Sequence, residues 1–504
     1  MAYHRPLCPD GRAALADGPC VPCAEAARPY VLAATILASA MAFIDGTLVH
    51  IALPAIGDDL GARFAALQWV VNAYALMLGA LILVGGGLGD RFGRRRVFNA
   101  GIALFALASL ACALAADAGV LIAARALQGI GAALLVPQSL AIIAAAFPRE
   151  VRGPAIGLWA GASAVTTALG PPIGGLLIDT LSWRAAFWIN LPLAALALWL
   201  SLRFVPESRD ETARGPLDWP GGVAAVLGFG ALSWGLTRLA EDADALAWGL
   251  LGLGVAAIAG FVAIEARVRA PLMPLGLFRD RTFAITNLAT LLLYGALGAA
   301  LFLLPFDFIA RRGLDATEAG LALLPMGLLI GLLAQPMGRL ADRLGARPFL
   351  AAGPIVVAVA CLWLGRAFEG FALGALAPVA LLAVGMAMVV APLTTVVLNA
   401  APDAQSGAAS GVNNAASRLA GLLAVATCGA LARAVYAAAL PSGTAAPAFG
   451  RLPAPDDPGY RLVEAAFLDG YAAALGLAAA AALAAGLAML ATPPVRVVPA
   501  ARIE

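Results

Sequence analysis

The sequence predicts an all-α polytopic membrane protein in which fourteen helices cross a lipid bilayer. The composition, a series of long apolar runs and an uneven distribution of arginine support this fold class. Hydrophobic residues make up 62% of the 504 residues, and charged residues make up only 12%. A soluble domain carries roughly twice that charged share, because its surface must be hydrated. The chain therefore has too few charges to cover a water-soluble globule.

The apolar runs are long enough to be membrane spans. A spanning helix requires about 20 mostly apolar residues, because it rises 1.5 Å per residue through a hydrocarbon core about 30 Å thick. Runs of this kind occupy residues 30–54, 67–88, 97–116, 120–147, 154–178, 184–205, 218–239, 246–266, 283–309, 317–340, 348–366, 371–398, 407–435 and 465–491. We expect an arm (1–29), a six-helix half (30–205), a linker with two additional spans (206–282), a second six-helix half (283–491) and a tail (492–504).

Arginine placement predicts the orientation of these spans, since cytoplasmic connections carry the excess of basic residues. With the N-terminus in the cytoplasm, twenty-one arginines fall on the cytoplasmic side and nine on the other. An odd number of spans would break this pattern over half of the chain. We therefore expect a multi-pass protein of the cell membrane with both termini in the cytoplasm.

Several classes of function are excluded or disfavoured. The chain contains no lysine, so it cannot contain the lysine of a phosphate-binding P-loop, and this chain alone cannot be driven by ATP. The net charge of +2 suggests no nucleic-acid partner. His4, Cys8, Cys20 and Cys23 are zinc-ligand types, but a single cysteine pair in a short arm rich in Pro and Ala favours a disordered cytoplasmic segment. We expect no metal, no cofactor and no enzymatic activity.

An internal repeat divides the chain into two related halves. The pattern G-x-L-x-D-R-x-G-x-R occurs at 86–95 and again at 338–347, each time at the end of an even-numbered span. The latch candidates in this repeat are Gly86, Asp90, Arg91 and Gly93 in the first copy, with the adjacent Arg94, and Gly338, Asp342, Arg343 and Gly345 in the second. Parallel halves of this kind are a transporter architecture with a substrate cavity between them.

The repeated loop has two interpretations. The glycines permit tight helix contact and a sharp turn, and Asp90 offers a carboxylate that can bind an arginine or a helix N-terminus. That contact would latch the two halves together on the cytoplasmic side. For Arg94 and the two arginines that follow it, we favour a topological signal instead.

Further motifs make the chain resemble the major facilitator superfamily, specifically its fourteen-helix drug:proton antiporters. The run 44–54 resembles the first-helix signature of that subfamily, with departures at Gly46 and His50. The run 125–133 matches the arginine motif of the fourth span. The antiporter motif of the fifth span is matched by Gly161, Gly170, Pro171, Pro172 and Gly174. The resemblance implies the major facilitator fold, in which two additional central helices separate two six-helix halves.

Ionisable groups within the spans are few, and each is a functional candidate because it is costly in hydrocarbon. Asp45 is the expected proton carrier, since burial and a nearby cation act on a carboxyl group in opposite directions. Its alternative is a purely structural ion pair, for which Arg125 is a possible partner. The resemblance implies that Arg125 takes part in proton exchange. Arg418 is expected to brace helices.

Five residues are candidates for the substrate cavity. Asp307 would recognise cationic substrates, or it would instead be solvated at the outer mouth with Arg311 and Arg312. Trp69 and Tyr74 would line the cavity, as would Trp159 and Phe302, although aromatic residues at span ends more often anchor the membrane interface.

Together these features predict a secondary active transporter that works by alternating access. It would export small amphipathic or cationic molecules in exchange for protons and would function as a monomer. An uptake symporter of the same fold and a non-transporting sensor or scaffold are the alternatives. The antiporter motif opposes the symporter, because it is largely restricted to exporters within the family that the chain resembles.

Overall fold

The computed structural model describes residues 25–210, 217–268, 271–366, 368–402, 405–441 and 447–492. Within these ranges fourteen helices are long and apolar enough to cross a membrane, which confirms the predicted number of spans. They are α1 Arg28–Asp59, α2 Phe64–Phe92, α3 Arg94–Ala113, α4 Ala118–Ala146, α5 Arg149–Thr180, α6 Asn190–Phe204, α7 Trp219–Leu239, α8 Ala245–Glu265, α9 Arg281–Pro305, α10 Ala316–Leu344, α11 Ala346–Gly365, α12 Ala377–Asn399, α13 Ser406–Ala439 and α14 Tyr460–Leu490. The cysteines predicted to lie in the arm are outside the described residues.

Three of these spans are extended by short segments. The turn Ala185–Trp188 precedes α6. Wide π-helical turns extend α9 over Phe306–Arg311 and lead into α12 over Ala372–Leu376. The two prolines of the antiporter motif lie inside α5, which continues past them to Thr180.

Local sequence explains where many of the helices begin. Aspartate is the N-cap of five spans, and in each case its side chain accepts a backbone N–H of the first turn that has no partner within the helix. These caps are Asp117, Asp218, Asp244, Asp280 and Asp315. The two repeated loops turn sharply at Gly93 (φ 106°) and Gly345 (φ 91°). Both values lie in the region that only glycine adopts readily, so the repeat retains glycine there.

We call the end of the bundle that carries Gly93 and Gly345 the arginine-rich face, and the end that carries Asp59 and Gly313 the opposite face. The two halves meet along two helix pairs, α5 with α10 and α2 with α13. Small residues allow the closest approaches in the first pair. A Cβ atom on Gly320 would lie 2.3 Å from the carbonyl oxygen of Pro171, and one on Gly175 would lie 2.1 Å from that of Ala316. These backbones touch because no side chain separates them.

The two additional helices lie beside this interface. Helix α7 packs against α2, α13 and α8, and Asn72 on α2 donates to Ser233 on α7 over 3.1 Å. Helix α8 packs mainly against α7, so it is peripheral to the bundle. Its buried residues are Ala247, Gly254 and Glu265, and the rest of its surface is available to lipid.

The close contact between α5 and α10 predicts that Gly320→Leu destabilises the bundle. Overpacking a tight contact costs about 1–3 kcal/mol, because the backbones must separate. The matched control is Gly331→Leu on the same helix, where a Cβ atom would meet nothing within 4 Å. We expect Gly320→Leu to lower the thermal unfolding midpoint in detergent, while the control leaves it unchanged. Equal midpoints for the two variants would contradict this packing.

Candidate functional site

A buried ion pair joins the first and fourth spans. Asp45 on α1 and Arg125 on α4 are each only 1% exposed. One guanidinium nitrogen of Arg125 donates to Asp45 Oδ2 and, over 2.6 Å, to Gln128 Oε1, while Arg125 Nε donates to the carbonyl of Val70 over 3.1 Å. Asp45 therefore contacts Arg125, a pairing that the sequence alone left undecided.

Two amides complete the surroundings of this carboxylate. Gln128 Nε2 donates to Asp45 Oδ1 over 2.9 Å, and Asn190 Nδ2 donates to the same oxygen over 3.3 Å. The hydroxyl of Ser109 accepts from both amides, at 2.7 Å and 3.0 Å. Three side chains therefore donate to the Asp45 carboxylate in this conformation.

Aromatic rings cover the pair. The Arg125 guanidinium lies 4.4 Å from the ring centroid of Tyr74 and 5.8 Å from that of Phe187. The Tyr74 hydroxyl donates to the carbonyl of Ala42 over 3.1 Å, and the residue is buried. Tyr74 therefore packs on the ion pair in this structure rather than in the wall of the cavity.

A cavity of about 760 Å³ lies between the halves and reaches the arginine-rich face. Its inner wall includes Phe43 on α1, Trp159 on α5 and Arg418 on α13, and the exposed Arg91 lies at its mouth. The Trp159 indole donates to Ser39 over 3.0 Å. Phe43 is two residues from Asp45, so the wall of the cavity is close to the buried ion pair in the chain.

Arg418 crosses this cavity from one half to the other. Its guanidinium lies 5.7 Å from the ring centroid of Phe43, which joins α13 to α1. It is only partly buried, and no described acidic side chain forms an ion pair with it. Arg418 thus braces helices, as expected, and also places a positive charge in the cavity wall.

The halves are in contact at the opposite face. The ring of Phe64 on α2 lies 5.5 Å from the rings of Phe302 in α9 and of Phe306 in its π-helical extension. It lies 4.9 Å from the ring of Phe449. Asp179 at the end of α5 accepts from the backbone and the hydroxyl of Thr317, at 2.7 Å and 2.6 Å. The cavity is therefore closed at this face and open at the other.

Two further candidates lie away from the described cavity lining. Asp307 is 1% exposed and accepts from Arg311 Nε at 2.5 Å and from Arg312 Nε at 2.8 Å. Of the two roles expected for Asp307, this geometry agrees with its pairing to Arg311 and Arg312, although the carboxylate is buried rather than solvated. Trp69 packs against Trp234 of α7 at 6.4 Å, in the interface with the additional helices.

In this conformation Asp90 of the repeated loop forms its ion pair within its own half. Asp90 Oδ1 accepts two hydrogen bonds from Arg94, at 3.0 Å and 2.8 Å, within its own half. Asp90 and Gly407 line the same cavity mouth, and Gly407 belongs to the first turn of α13, whose N-cap residue Gln405 provides no side-chain cap. Asp90 and the N-terminus of α13 therefore lie at the same cavity mouth, on different halves of the protein. The second copy forms the corresponding turn between α10 and α11 at Gly345.

The antiporter motif lies against α1. A Cβ atom on Gly170 would lie 2.0 Å from the Thr47 hydroxyl, and one on Gly174 would lie 2.5 Å from the Leu48 side chain. The carbonyl of Pro171 contacts Gly320 of the other half. Gly161, about two turns earlier in α5, has open space beside it. The motif thus holds α5 between α1 and α10.

Comparison with known proteins agrees with this architecture. The protein from Mycobacterium tuberculosis named "Multidrug resistance protein Stp" is 34% identical over 81% of this chain and 76% of its own length. The "Tetracenomycin C resistance and export protein" of Streptomyces glaucescens is 34% identical over 80% and 76%, and a puromycin resistance protein of Streptomyces alboniger is 35% identical over 84% and 85%.

Solved structures share the fold at low sequence identity. An inward-facing, unoccupied bacterial homologue of the human lysosomal transporter Spinster matches with a TM-score of 0.65 and 18% identity, over 93% of this chain and 98% of that chain. A D-xylose–proton symporter matches with a TM-score of 0.64 and 17% identity, over 92% and 98%. The Major Facilitator Superfamily profile matches residues 35–425 of the sequence. The chain therefore belongs to the Major Facilitator Superfamily of membrane transporters, and it is not an enzyme.

Proposed function

We propose that this protein exports small amphipathic molecules across the cell membrane in exchange for protons, as a monomer with both termini in the cytoplasm. Three relatives named for drug resistance or export, each over about four fifths of the chain, support the class of substrate. The observation that carries the proposal is the buried contact of Asp45 with Arg125 beside a cavity open at the arginine-rich face. That face is cytoplasmic under the predicted orientation.

Asp45 is the proposed proton carrier. In the proposed cycle this conformation, in which the carboxylate accepts from Arg125, Gln128 and Asn190, follows the release of the proton. Protonation would remove the charge that holds the Arg125 guanidinium, and the released donors would then rearrange. Asp45 would bind a proton in the outward-open state and release it in the conformation described here. The proton would thus move inward while the substrate moves outward. Arg125 is the positioning group of this switch.

The cavity is the proposed substrate site. Its wall combines apolar and aromatic side chains, such as Ile82, Leu83 and Trp159, with the positive charge of Arg418. The acidic groups of the lining, Asp90 and Asp218, lie at its mouth. This distribution suits an amphipathic molecule that presents a hydrogen-bond acceptor toward Arg418. Cationic recognition by Asp307 gains no support, because two arginines already neutralise that carboxylate.

The repeated loop is the proposed latch of the cytoplasmic face. When the mouth closes, Asp90 would leave Arg94 and bind the N-terminus of α13, whose partial positive charge attracts a carboxylate. Gly86 and Gly93 would permit the close approach and the turn. The antiporter motif would act at the other end, where the contact of Pro171 with Gly320 seals the opposite face during loading of substrate.

Replacing Asp45 by Asn should abolish proton-driven transport. Asn keeps the size and one acceptor of Asp but cannot exchange a proton, so gradient-driven uptake into inverted vesicles should fall to the level of vesicles without the protein. The assay uses puromycin and tetracenomycin C, and it follows whichever compound the wild type transports. Substrate exchange without a gradient should persist, since it needs no proton. Asp242→Asn, at an exposed residue between α7 and α8, is the matched control. Normal gradient-driven transport by the Asp45 variant would refute the coupling role.

Replacing Asp90 and Arg94 separately should move the cytoplasmic mouth in opposite directions. Asp90→Ala removes the latch and should favour the open mouth, whereas Arg94→Ala frees Asp90 for α13 and should favour the closed one. Each shift should be about tenfold in population, or about 1.4 kcal/mol. Spin labels at the ends of α2 and α13, in a variant without the native cysteines, measure the two populations by their distance distribution. Shifts in the same direction would contradict the latch.

A further inference from the structure

Two carboxyl groups meet beside the mouth of the cavity, where the additional helices reach the arginine-rich face. Asp218 is the N-cap of α7, and Glu265 is the last residue of α8; they are 4% and 3% exposed. A Cβ atom on Gly221 would lie 2.4 Å from Asp218 Oδ2 and 2.8 Å from Glu265 Oε1. These two oxygens therefore converge on the same point, although the residues come from different helices.

Each carboxyl uses one oxygen to organise the backbone. Asp218 Oδ1 accepts from the N–H of Gly221 over 2.8 Å, and Glu265 Oε2 accepts from the N–H of Met273 over 2.9 Å. The remaining oxygens, Asp218 Oδ2 and Glu265 Oε1, are buried, and neither has a hydrogen-bond partner in the described part of the chain. Two buried carboxylate oxygens without donors are costly, and two adjacent negative charges add repulsion.

The charged groups described next to this pair come from α2 and from the segment after α8. On α2, Asp90 is bound by Arg94, and Arg91 lies with Asp218 along the cavity mouth. After α8, the side chain of Arg267 is exposed and donates to the carbonyl of Ala263 over 3.3 Å. Within the described ranges, no arginine forms an ion pair with either carboxyl. The charged side chain that the structure places against Glu265 is Asp218.

We propose that Asp218 and Glu265 form a proton-binding site in which one hydrogen is shared between Asp218 Oδ2 and Glu265 Oε1. A proton taken from water at the cavity mouth changes the charge of the pair from two negative charges to one, and each free oxygen gains a partner. A metal ion fits the site less well. The described residues offer no group of three or more metal-ligand side chains, and backbone N–H groups cannot bind a cation.

The site is connected to the mouth of the cavity. Glu265 binds the backbone of Met273, and the preceding residues Pro271 and Leu272 line the cavity mouth. Loss of the shared proton would place two charges side by side and separate Glu265 from Asp218. The segment bound to Glu265 would then move with it. The pair thus links the pH at this face to the shape of the entrance, independently of the proton that Asp45 is proposed to carry.

Infrared difference spectroscopy tests the site without requiring transport. The parent protein for this test is the full chain with Asp45→Asn in lipid nanodiscs, so that Asp45 contributes no carboxyl signal. At about pH 7, where isolated carboxyl groups are ionised, we expect one carbonyl stretching band of a protonated carboxyl that shifts in D₂O. Adding Glu265→Gln, or separately Asp218→Asn, should remove this band, because the remaining acid is then free to ionise beside an amide donor. Adding Glu369→Gln, at an exposed residue, should retain it.

Each outcome decides the proposal. Loss of the band in both variants of the pair, with retention in the control, supports a shared proton. Retention in either variant overturns it, and so does loss in the control. The parent protein alone keeps the test decisive if a variant fails to fold, since absence of any protonated-carboxyl band from the parent at about pH 7 also overturns the site.

Discussion

Asp45 and Arg125 place two opposite charges where the surrounding solvent is hydrocarbon, and either group alone would cost a few kcal/mol or more at the centre of a bilayer. Together they are neutral, and amide, hydroxyl and aromatic groups complete their contacts. Removing one partner would leave the other buried and unpaired, which is costly. The packing of α1 against α4 and α6 therefore depends on this buried pair, and under the proposed coupling it would respond to the protonation of Asp45.

In the proposed cycle, the rest of the bundle would translate that local change into motion between two halves. Where α5 meets α10, backbone contacts backbone across glycine, so the halves can pivot on a smooth surface without separating long side chains. Aromatic rings around Phe64 close the opposite face, whereas the arginine-rich face is open around a cavity. Phe43 joins the two regions, because it lies in the cavity wall two residues before Asp45.

The sequence was sufficient for the number and approximate positions of the spans, since lipid imposes the length of each apolar run and arginine marks the connections between them. It also singled out Asp45 and Arg125, because charges in hydrocarbon are conspicuous. It could not show that Gln128 and Asn190 donate to Asp45, or that Tyr74 packs on Arg125, since these contacts depend on the rotation of each helix about its axis. The i, i+3 spacing of Arg125 and Gln128 was the available signal.

The pairing of Asp218 with Glu265 was beyond the sequence for a similar reason. Both acids stand at helix ends, where an aspartate usually indicates only an N-cap and a glutamate a solvated connection. Their burial follows from the way α8 folds back on α7, which no local pattern specifies. The partners of Asp307, in contrast, were already indicated by the sequence. Its two arginine partners are its near neighbours in the chain, and the sequence already offered that alternative.

The exchange of a proton for a substrate at Asp45 is tested most directly by measuring protons released when substrate binds. Purified protein in a weakly buffered acidic solution is mixed with a transported compound while a pH-sensitive dye reports the release. The account predicts about one proton released per bound molecule by the wild type, because binding favours the ionised contact with Arg125. Binding without proton release would contradict it, as would equal release from protein carrying Asn at this position.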